Sequence, residues 1–269
     1  MFSVVSVTLN CREALRRTAA SVWEQEGVSL EYLVKDGGSV DGTVEVLKGS
    51  GGDARIVVEP DKGIYAAMNQ AIQHCRGRYV VFLNAGDSFR VATALRQVLA
   101  VVEAHGEPEI VYSYNYNEAR GNVSKYPSRL GRYFLYRRVL NHQATYVRRD
   151  CFERHGGFDT SFVDLADCEL LARLVLAKGC RSALCPVATV NYQDGGVSAQ
   201  ERHFQRRKAQ MNAIRQRHFP RWERMVYGTM FALSLYPVRR RLVTRHPRSV
   251  VARGYFRIAN LVNRALGWF

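Results

Sequence analysis

The chain has 269 residues, of which 47% are hydrophobic and 23% are charged, a composition typical of a globular protein with a sizeable core. Its formal net charge of +15 is unevenly distributed, because 16 of the 39 basic residues but only two of the 24 acidic residues follow position 198. No apolar run reaches the roughly 18–20 residues that a membrane-spanning helix needs. We therefore expect a nearly neutral globular body, residues 1–198, followed by a basic extension, residues 199–269.

The six cysteines are scattered, and none shows the Cys-x-x-Cys or Cys/His spacing of a zinc site. Reduced thiols in a cytoplasmic protein are the simplest interpretation. The first predicted strand begins at Phe2, with no basic segment and no apolar signal core before it. We therefore expect a cytoplasmic protein.

The first 104 residues alternate between short apolar segments and segments in which apolar residues have helical spacing. The predicted strands are 2–9, 30–34, 55–58 and 79–83, and the predicted helices are 12–25, 43–48, 64–74 and 92–104. Strands that alternate with helices of this length are typical of βαβ units with right-handed crossovers. The pattern predicts an α/β fold with a mostly parallel central sheet.

The pattern after residue 104 is less regular. Further strands are predicted at 110–116, 122–126 and 143–147, a helix at 165–178, and a strand interrupted by Pro186 at 181–192. The basic and aromatic segment 127–141 is predicted to be a loop over the site. The basic extension is predicted to be mainly helical.

A cluster of polar and glycine residues follows each of the first four predicted strands. The clusters contain Thr8 and Asn10 after the first strand, Asp36, Ser39 and Asp41 after the second, Asp61 and Lys62 after the third, and Asn84 and Asp87 after the fourth. The carboxyl ends of parallel strands meet at one edge of a sheet, where α/β proteins bind ligands. The sequence therefore predicts a ligand-binding crevice at this edge.

The crevice lacks the loops of common nucleotide-binding folds. No Gly-x-Gly-x-x-Gly motif joins the first strand to the first helix, which disfavours a dinucleotide site, and no P-loop is present. Carboxylates repel a diphosphate, so Asp36 and Asp41 are expected to accept hydrogen bonds from a nucleobase or a ribose. Asp41 could equally cap the helix 43–48, and Lys62 could contact phosphate or remain a solvated loop lysine.

Three segments, 36–43, 59–69 and 82–89, together resemble the family 2 glycosyltransferases with a GT-A fold, and most of all those that build bacterial capsular or exopolysaccharide repeat units. The resemblance covers roughly residues 2–198. It implies a GT-A-like three-layer α/β/α sandwich. It also implies an inverting transfer of a sugar from a nucleotide-diphosphate donor, of the UDP or GDP type, with Mg²⁺ or Mn²⁺ as the cofactor.

The resemblance also assigns roles to individual residues. It implies that the donor pocket is lined by Thr8, Asn10, Asp36, Ser39, Asp41, Asp61, Lys62, Asn69, Asn84, Ala85 and Gly86. Asp87 would be the single carboxylate on the metal, since Asn84 and Gly86 replace acids that the family often carries. This suits Mg²⁺, which keeps waters and takes ligands from substrate phosphates. Alternatively, Asp87 belongs to a plain turn and caps a helix that begins near Val91.

An inverting transfer needs a base that takes the proton of the acceptor hydroxyl. Asp167, at the start of the predicted helix 165–178, resembles the family's acidic motif and is the predicted catalytic base. Asp164 and Glu169 are the alternatives, and Asp167 could also simply complement the helix dipole.

Two further motifs resemble family features on the acceptor side. His142 and Gln143 match one of them, although a lone histidine is more often structural. Gly195, Gly196 and Ser198 resemble a closing turn.

The basic extension mixes arginine with aromatic and aliphatic residues, a pattern that suits helices lying on an anionic lipid surface. We therefore expect a peripheral protein on the inner face of the cytoplasmic membrane, acting on a polyprenyl-linked glycan acceptor. The alternative is a helical subdomain that packs on the body or on a second subunit. No nucleic-acid-binding motif accompanies the charge, so no nucleic acid partner is expected.

A second function stays open because Asn84 and Gly86 weaken the predicted metal site. It is a non-catalytic sugar-nucleotide-binding or scaffold protein with a degenerate metal site. A nucleotidyltransferase is disfavoured, since the chain lacks the glycine-rich basic first loop of those enzymes.

Overall fold

The structure is a computed structural model and describes residues 2–48, 52–192 and 204–233. Its strands are β1 (Phe2–Thr8), β2 (Leu30–Asp36), β3 (Arg55–Val58), β4 (Tyr79–Phe82), β5 (Ser88–Phe89), β6 (Ile110–Asn117), β7 (Asn122–Ser124), β8 (Thr145–Arg148) and β9 (Ser182–Tyr192). Its α-helices are α1 (Arg12–Trp23), α2 (Ile64–Ile72), α3 (Ala94–Ala104), α4 (Arg132–Arg137), α5 (Arg149–His155), α6 (Ala166–Ala172), α7 (Phe204–His218) and α8 (Arg221–Leu233). Two 3₁₀ turns, Glu45–Leu47 and His142–Ala144, and a π-helical turn, Arg173–Ala177, also occur.

The nine strands of the described ranges form one sheet in the order β3-β2-β1-β4-β8-β6-β9-β5, with β7 beside β6. Six strands run in one direction, and β5, β7 and β8 run in the other, so the predicted mostly parallel sheet is confirmed. All seven residues of β1 are buried, as expected for a strand covered on both faces. The strand order reverses between β1 and β4, which is where such sheets form ligand crevices.

Apolar side chains cover both faces of the sheet. Val4 and Val5, neighbours in β1, belong to different apolar clusters because successive side chains of a strand point to opposite faces. The cluster of Val4 includes Leu15 of α1 and residues of α3, and the cluster of Val5 includes Met68 of α2 and residues of α6. This is the three-layer α/β/α sandwich that the resemblance implies.

The segment 127–141, predicted to be a loop, contains α4. Leu135 and Tyr136 of this helix are buried in one cluster with Phe219, which lies between α7 and α8. A helix of six residues is too short to be stable alone, and its packing partner comes from far along the chain. Sequence spacing within the segment therefore could not reveal it.

The predicted interruption at Pro186 is a bulge within the continuous strand β9. The pairing of β9 with β6 passes from Cys185 to Ala188, so Pro186 and Val187 stay outside the ladder. Proline has no N–H group to donate, and a bulge tolerates this without ending the strand. The seven-residue helix α5 is absent from the predicted elements.

The described part of the extension packs on the body. Phe219, between α7 and α8, is 3% exposed. Helix α7 forms two ion pairs with the body, from Arg206 to Asp164 and from Arg217 to Asp159. Helix α7 and Phe219 therefore pack on the body, as the alternative of a helical subdomain predicts for this part of the extension.

Within the described ranges, no helix combines the length and the apolar character that crossing a bilayer requires. The predicted boundary at residue 198 lies outside the described residues, as do Gly195, Gly196 and Ser198. The division into two domains therefore stays a prediction.

Candidate active site

The loop after β2 folds around the carboxylate of Asp36, which is 1% exposed. Its Oδ2 accepts hydrogen bonds from the backbone N–H groups of Gly38 and Ser39 at 2.9 and 2.7 Å, and its Oδ1 accepts the Ser39 hydroxyl at 2.5 Å. The backbone N–H of Asn10 in turn donates to Ser39 Oγ at 2.8 Å. Asp36 therefore builds the turn that brings Asn10 and Ser39 together beyond the ends of β1 and β2.

Asp41 joins the same loop to the start of α1. Its Oδ1 accepts hydrogen bonds from the backbone N–H and the hydroxyl of Thr43. Its Oδ2 accepts the backbone N–H of Arg12 at 3.4 Å. The hydrogen bond from the Thr43 hydroxyl is the main reason why the pKa of Asp41 lies below its usual value. Val44, and not Asp41, is the residue before the 3₁₀ turn that replaces the predicted helix. Because Asp41 is exposed, its carboxylate is accessible to a ligand.

Lys35, in β2, is a residue of the crevice that the sequence analysis missed. Its side chain is fully buried and forms an ion pair with Asp61, in the loop after β3. Asp61 also accepts the N–H of Gly63 at 3.0 Å. A Cβ atom at Gly37 would lie 3.0 Å from Asp61 Oδ2, so glycine leaves room for the pair. A signal was present in the sequence, because a lysine within an apolar strand needs a carboxylate partner.

The turn 84–87 follows β4 and is held by α1. The Thr18 hydroxyl accepts the N–H of Gly86 at 3.0 Å and donates to the carbonyl of Asp87 at 2.7 Å. The Asp87 carboxylate is buried and accepts the amide N–H of Gln143 at 2.9 Å. The alternative that Asp87 caps the next helix is wrong, because α3 begins seven residues later and has no side-chain cap.

A chain of hydrogen bonds joins this turn to Asp167 at the start of α6. Asn84 Nδ2 lies 2.9 Å from His142 Nε2, and His142 Nδ1 lies 3.3 Å from Asp167 Oδ2. The other carboxylate oxygen, Oδ1, accepts the Tyr65 hydroxyl at 3.0 Å and the N–H of Cys168 at 2.9 Å. The structure thus brings the predicted base, the predicted acceptor-side histidine and the predicted metal-binding turn to one place.

Tyr65, from α2, is a second residue that the sequence analysis missed. Burial and the negative charge of Asp167 raise the pKa of Tyr65, so its hydroxyl stays protonated and donates to the carboxylate. Its ring packs against Phe158, with 5.4 Å between the ring centroids. Phe158 and Phe82 line a small cavity together with His142 and Asp167, so the carboxylate has apolar side chains beside it.

The two alternative bases face the extension instead. Glu169 is 1% exposed, and its carboxylate contacts His218 at 3.0 Å and Arg173 at 3.1 Å. Burial raises the pKa of Glu169, but these two partners outweigh burial, and the net pKa lies below its usual value. Asp164 pairs with an arginine of α7. Asp167 is therefore the acid of this segment that contacts the turn after β4 through a histidine.

Two buried polar atoms at the crevice, Thr8 Oγ1 and Asn84 Oδ1, have no hydrogen-bond partner within the described residues. Such atoms are costly unless water or a ligand satisfies them, so both are suited to contact a ligand. Asn69 differs, because its amide donates to the carbonyl of Phe158 at 2.9 Å and accepts its N–H at 2.8 Å. Asn69 therefore joins α2 to the segment before α6, while Lys62 is exposed to solvent.

Asp87 is the single predicted metal ligand. The described ranges contain no cluster of three or more His, Cys, Asp or Glu side chains that could hold a metal ion. A metal here would therefore take most of its ligands from water and from the phosphates of a substrate.

A cavity of about 290 Å³ lies at the opposite end of β4. It is lined by Arg78, Glu107, Arg148, Arg149 and Asp150. Arg78 pairs with Glu107, Arg148 with Asp150, and Arg149 with Glu153, so each basic side chain of this cavity already has an acidic partner. The crevice at the carboxyl ends of the strands remains the candidate site.

Two solved structures share the fold. The mannosyltransferase PcManGT from Pyrobaculum calidifontis, in complex with GDP-Man and Mn²⁺, aligns with a TM-score of 0.64 and 17% identity over 97% of this chain and 80% of that one. Residues 1–349 of S. aureus TarS, in complex with UDP, align with a TM-score of 0.61 and 15% identity over 71% of this chain and 60% of that one. Only 36% of a longer TarS chain is covered. At these identities the likeness shows the GT-A fold alone.

Sequence relatives are closer. An uncharacterized glycosyltransferase of Mycobacterium tuberculosis is 31% identical over an alignment of 182 residues that covers 65% of this chain and 68% of the relative. A PGL/p-HBAD biosynthesis glycosyltransferase of Mycobacterium bovis is 28% identical over an alignment of 210 residues that covers 74% of this chain and 79% of the relative. The sequence model of the Glycosyl transferase family 2 matches residues 3–163, more than half of the chain. The chain therefore belongs to glycosyl transferase family 2, as the three sequence segments predicted.

Proposed function

We propose that this glycosyltransferase is an inverting enzyme, which moves a sugar from a nucleotide-diphosphate donor to a hydroxyl group of a lipid-linked glycan in bacterial surface polysaccharide synthesis. The observation that carries the proposal is the chain of hydrogen bonds from Asn84 through His142 to Asp167. It connects a carboxylate suited to deprotonate a hydroxyl with the turn that follows β4. The relative in PGL/p-HBAD biosynthesis supports a biosynthetic role.

The donor is proposed to lie across the ends of β1, β2 and β4. Both carboxylate oxygens of Asp36 accept hydrogen bonds from its own turn. The exposed Asp41 and the unpartnered Thr8 Oγ1 are therefore better placed to contact the nucleobase and the ribose of the donor. Asn84 Oδ1 can accept a sugar hydroxyl, and the exposed Lys62 can contact the diphosphate as a point charge. UDP bound to TarS and GDP-Man bound to PcManGT support a donor of this class.

Asp87 is proposed to hold Mg²⁺ or Mn²⁺, with waters and donor phosphates completing the coordination shell. The residues present fit such an ion, because Asp87 is a buried carboxylate on a turn whose backbone is fixed by Thr18. When bound, the ion would neutralise the negative charge that develops on the departing diphosphate. The Mn²⁺ in PcManGT supports this assignment.

Asp167 is proposed to take the proton of the acceptor hydroxyl as its oxygen attacks the anomeric carbon from the face opposite to the diphosphate. Attack from that face inverts the configuration at this carbon. Tyr65 and the N–H of Cys168 hold Oδ1, and His142 contacts Oδ2, so the carboxylate is fixed in one orientation before the acceptor binds.

The acceptor is proposed to be polyprenyl-linked, with the enzyme peripheral on the inner face of the cytoplasmic membrane. Trp222, Met225 and Val226 of α8 are 61%, 73% and 45% exposed and occupy one face of this helix. Residues 234–269, outside the described ranges, contain eight arginines and no acidic residue. Anionic lipid attracts such a segment. Since arginines of α7 pair with acids of the body, the membrane contact is assigned to α8 and the residues after it.

The test compares Asp167→Asn with the matched variant Glu169→Gln. Hydrolysis of a panel of UDP- and GDP-sugars is measured with and without Mn²⁺, together with binding of the donor that turns over fastest. Asp167→Asn is expected to lower turnover about 10²- to 10⁴-fold with unchanged donor binding, because it removes the base. Glu169→Gln is expected to lower the free energy of unfolding and to keep most of the turnover.

Undiminished turnover by Asp167→Asn would refute the assignment of the base. A wild-type protein that binds donors but turns over none of them would favour the non-catalytic sugar-nucleotide-binding or scaffold protein. Donor binding that requires Mn²⁺ in the wild type but no longer responds to Mn²⁺ in Asp87→Ala would support the role of Asp87.

A further inference from the structure

The imidazole ring of His142 lies between an amide and a carboxylate. Its Nε2 faces Nδ2 of Asn84 at 2.9 Å, and its Nδ1 faces Oδ2 of Asp167 at 3.3 Å. An amide nitrogen only donates hydrogen bonds, and an ionised carboxylate only accepts them. With the Asn84 amide in this orientation, Nε2 faces a hydrogen-bond donor and Nδ1 faces an acceptor.

We infer that His142 is a positioning residue for Asp167 and that Asn84 holds it in the neutral tautomer with the proton on Nδ1. In this form Nε2 accepts a hydrogen bond from Asn84, and the Nδ1 proton is donated to Asp167. In the opposite tautomer, the proton on Nε2 faces the N–H₂ group of Asn84, and the lone pair of Nδ1 faces the carboxylate of Asp167. Both contacts are repulsive. That Asp167 is the catalytic base rests on the proposed function. The tautomer of His142 is inferred independently of that function.

The identity of residue 84 decides the charge of the ring. An aspartate at this position would need a proton on Nε2, and the ring would then be an imidazolium between two carboxylates. A cation in contact with a carboxylate stabilises its ionised form and weakens it as a base. With Asn84 the ring stays neutral, so it orients Asp167 without this loss of basicity.

Gln143, the residue after His142, contacts the proposed metal ligand. Gln143, in the same 3₁₀ turn, donates to Oδ2 of Asp87 at 2.9 Å. The two side chains of this turn therefore fix the proposed base and the proposed metal ligand relative to each other. A shift of the turn would misplace both groups together.

The tautomer is tested by ¹⁵N NMR of the full chain, labelled at histidine, at about pH 8, where an unperturbed imidazole is neutral. The resonances of residue 142 are identified by their loss in His142→Asn. A protonated Nδ1 with an unprotonated Nε2 is expected. A proton on Nε2, alone or together with one on Nδ1, would overturn the inference. This measurement needs no substrate, so its outcome does not depend on the proposed function.

The role of Asn84 is tested in the same spectra. Asn84→Asp is expected to protonate both ring nitrogens, because a second carboxylate then faces the ring. A ring that remains neutral in this variant would overturn the claim that Asn84 sets its charge.

Two substitutions of His142 distinguish the contributions of its two ring nitrogens to turnover. The amide nitrogen of asparagine occupies roughly the place of Nδ1, and that of glutamine roughly the place of Nε2. With the donor that the wild type hydrolyses fastest, His142→Gln is expected to lower kcat about 10- to 100-fold at unchanged KM, and His142→Asn to lower it several-fold less. Equal losses of kcat, or an effect on KM alone, would contradict the positioning role. If the wild type hydrolyses no donor, the proposed function fails, and the NMR result still decides the tautomer.

Discussion

The hydroxyl of Tyr65 lies 3.0 Å from Oδ1 of Asp167, although the two residues are 102 positions apart. Tyr65 belongs to the segment 59–69, one of the three on which the resemblance rests. Asp167 lies beyond the residues 3–163 that match the family model. This hydrogen bond therefore joins the donor-side motifs to the proposed base, and it explains why a buried tyrosine stands in that segment.

Tyr65→Phe removes this hydrogen bond and keeps the ring that packs on Phe158. A hydrogen bond to a charged group contributes about 1.5–3 kcal/mol, so kcat is expected to fall about 10- to 100-fold. Donor affinity, measured by calorimetry, should stay within about twofold, because the hydroxyl contacts the base and not the loops after β1 and β2. A loss of donor affinity at unchanged kcat would contradict this role.

Asn69→Ala is expected to lower the free energy of unfolding by about 2–4 kcal/mol. Both hydrogen bonds to the backbone of Phe158 are lost, and each buried group left unpaired costs about 1–3 kcal/mol. Donor affinity is expected to be unchanged, although the sequence placed Asn69 in the donor pocket. Urea unfolding and donor calorimetry check the two parts, with Gln73→Ala, an exposed position directly after the same helix, as the control. A stable variant that no longer binds donor would restore Asn69 to the pocket.

The ion pair of Lys35 and Asp61 predicts unequal effects of its two single substitutions. The Lys35 side chain is fully buried, whereas that of Asp61 is 14% exposed and can reach water. Asp61→Asn should therefore cost about 3–5 kcal/mol of unfolding free energy, by leaving a buried charge unpaired, and Lys35→Met should cost less. The double variant should cost less than the sum of the single variants in urea unfolding. Additive costs would show that the two residues do not interact.

Acid is expected to loosen α7 through Asp159. Burial raises the pKa of Asp159, but hydrogen bonds from Arg217 and Ser161 outweigh burial and lower the pKa to about 2, from the ordinary value of 3.8. Because the folded pKa is the lower one, the stabilisation is complete above pH 3.8 and is lost as the pH falls toward 2.

Urea unfolding of the wild type and of Asp159→Asn at a series of pH values checks this. The wild type should be the more stable protein at about pH 5, and the difference should shrink as the pH falls toward 2. Asp53→Asn, which changes an exposed carboxyl group, is the matched control. A difference that is constant over this pH range would contradict the ion pair with Arg217.

Trp222→Ser combined with Met225→Ser, in the full chain, is expected to weaken flotation with phosphatidylglycerol vesicles at least about tenfold. Each large apolar side chain that enters a lipid surface contributes about 1.5–3 kcal/mol. Val123→Ser, at another exposed apolar position, is the control. Phosphatidylcholine vesicles should bind the wild type weakly, since the arginines then lack anionic partners. Equal flotation of both proteins would refute the contact through α8.

The sequence predicted the alternation of strands and helices, the parallel sheet and the edge at which the candidate site lies. These are local properties: a strand such as β1 is buried over its whole length, and polar residues such as Thr8 and Asp36 directly follow the strand ends. Strand direction then places those residues at one edge without further information. The preference for Asp167 over Glu169 as the base also rests on local likeness to the family's acidic motif.

Only the tertiary structure shows which polar side chains are paired with other groups of the protein and are therefore not available to a ligand. Asn69 is held by Phe158, Glu169 by His218, and Lys35 by Asp61, each through a partner distant in the sequence. Spacing along the chain carries no signal for such pairs, because they form only where separate elements pack together. For the same reason the helix α4 and the contacts of His142 with Asn84 and Asp167 became visible only in the folded chain.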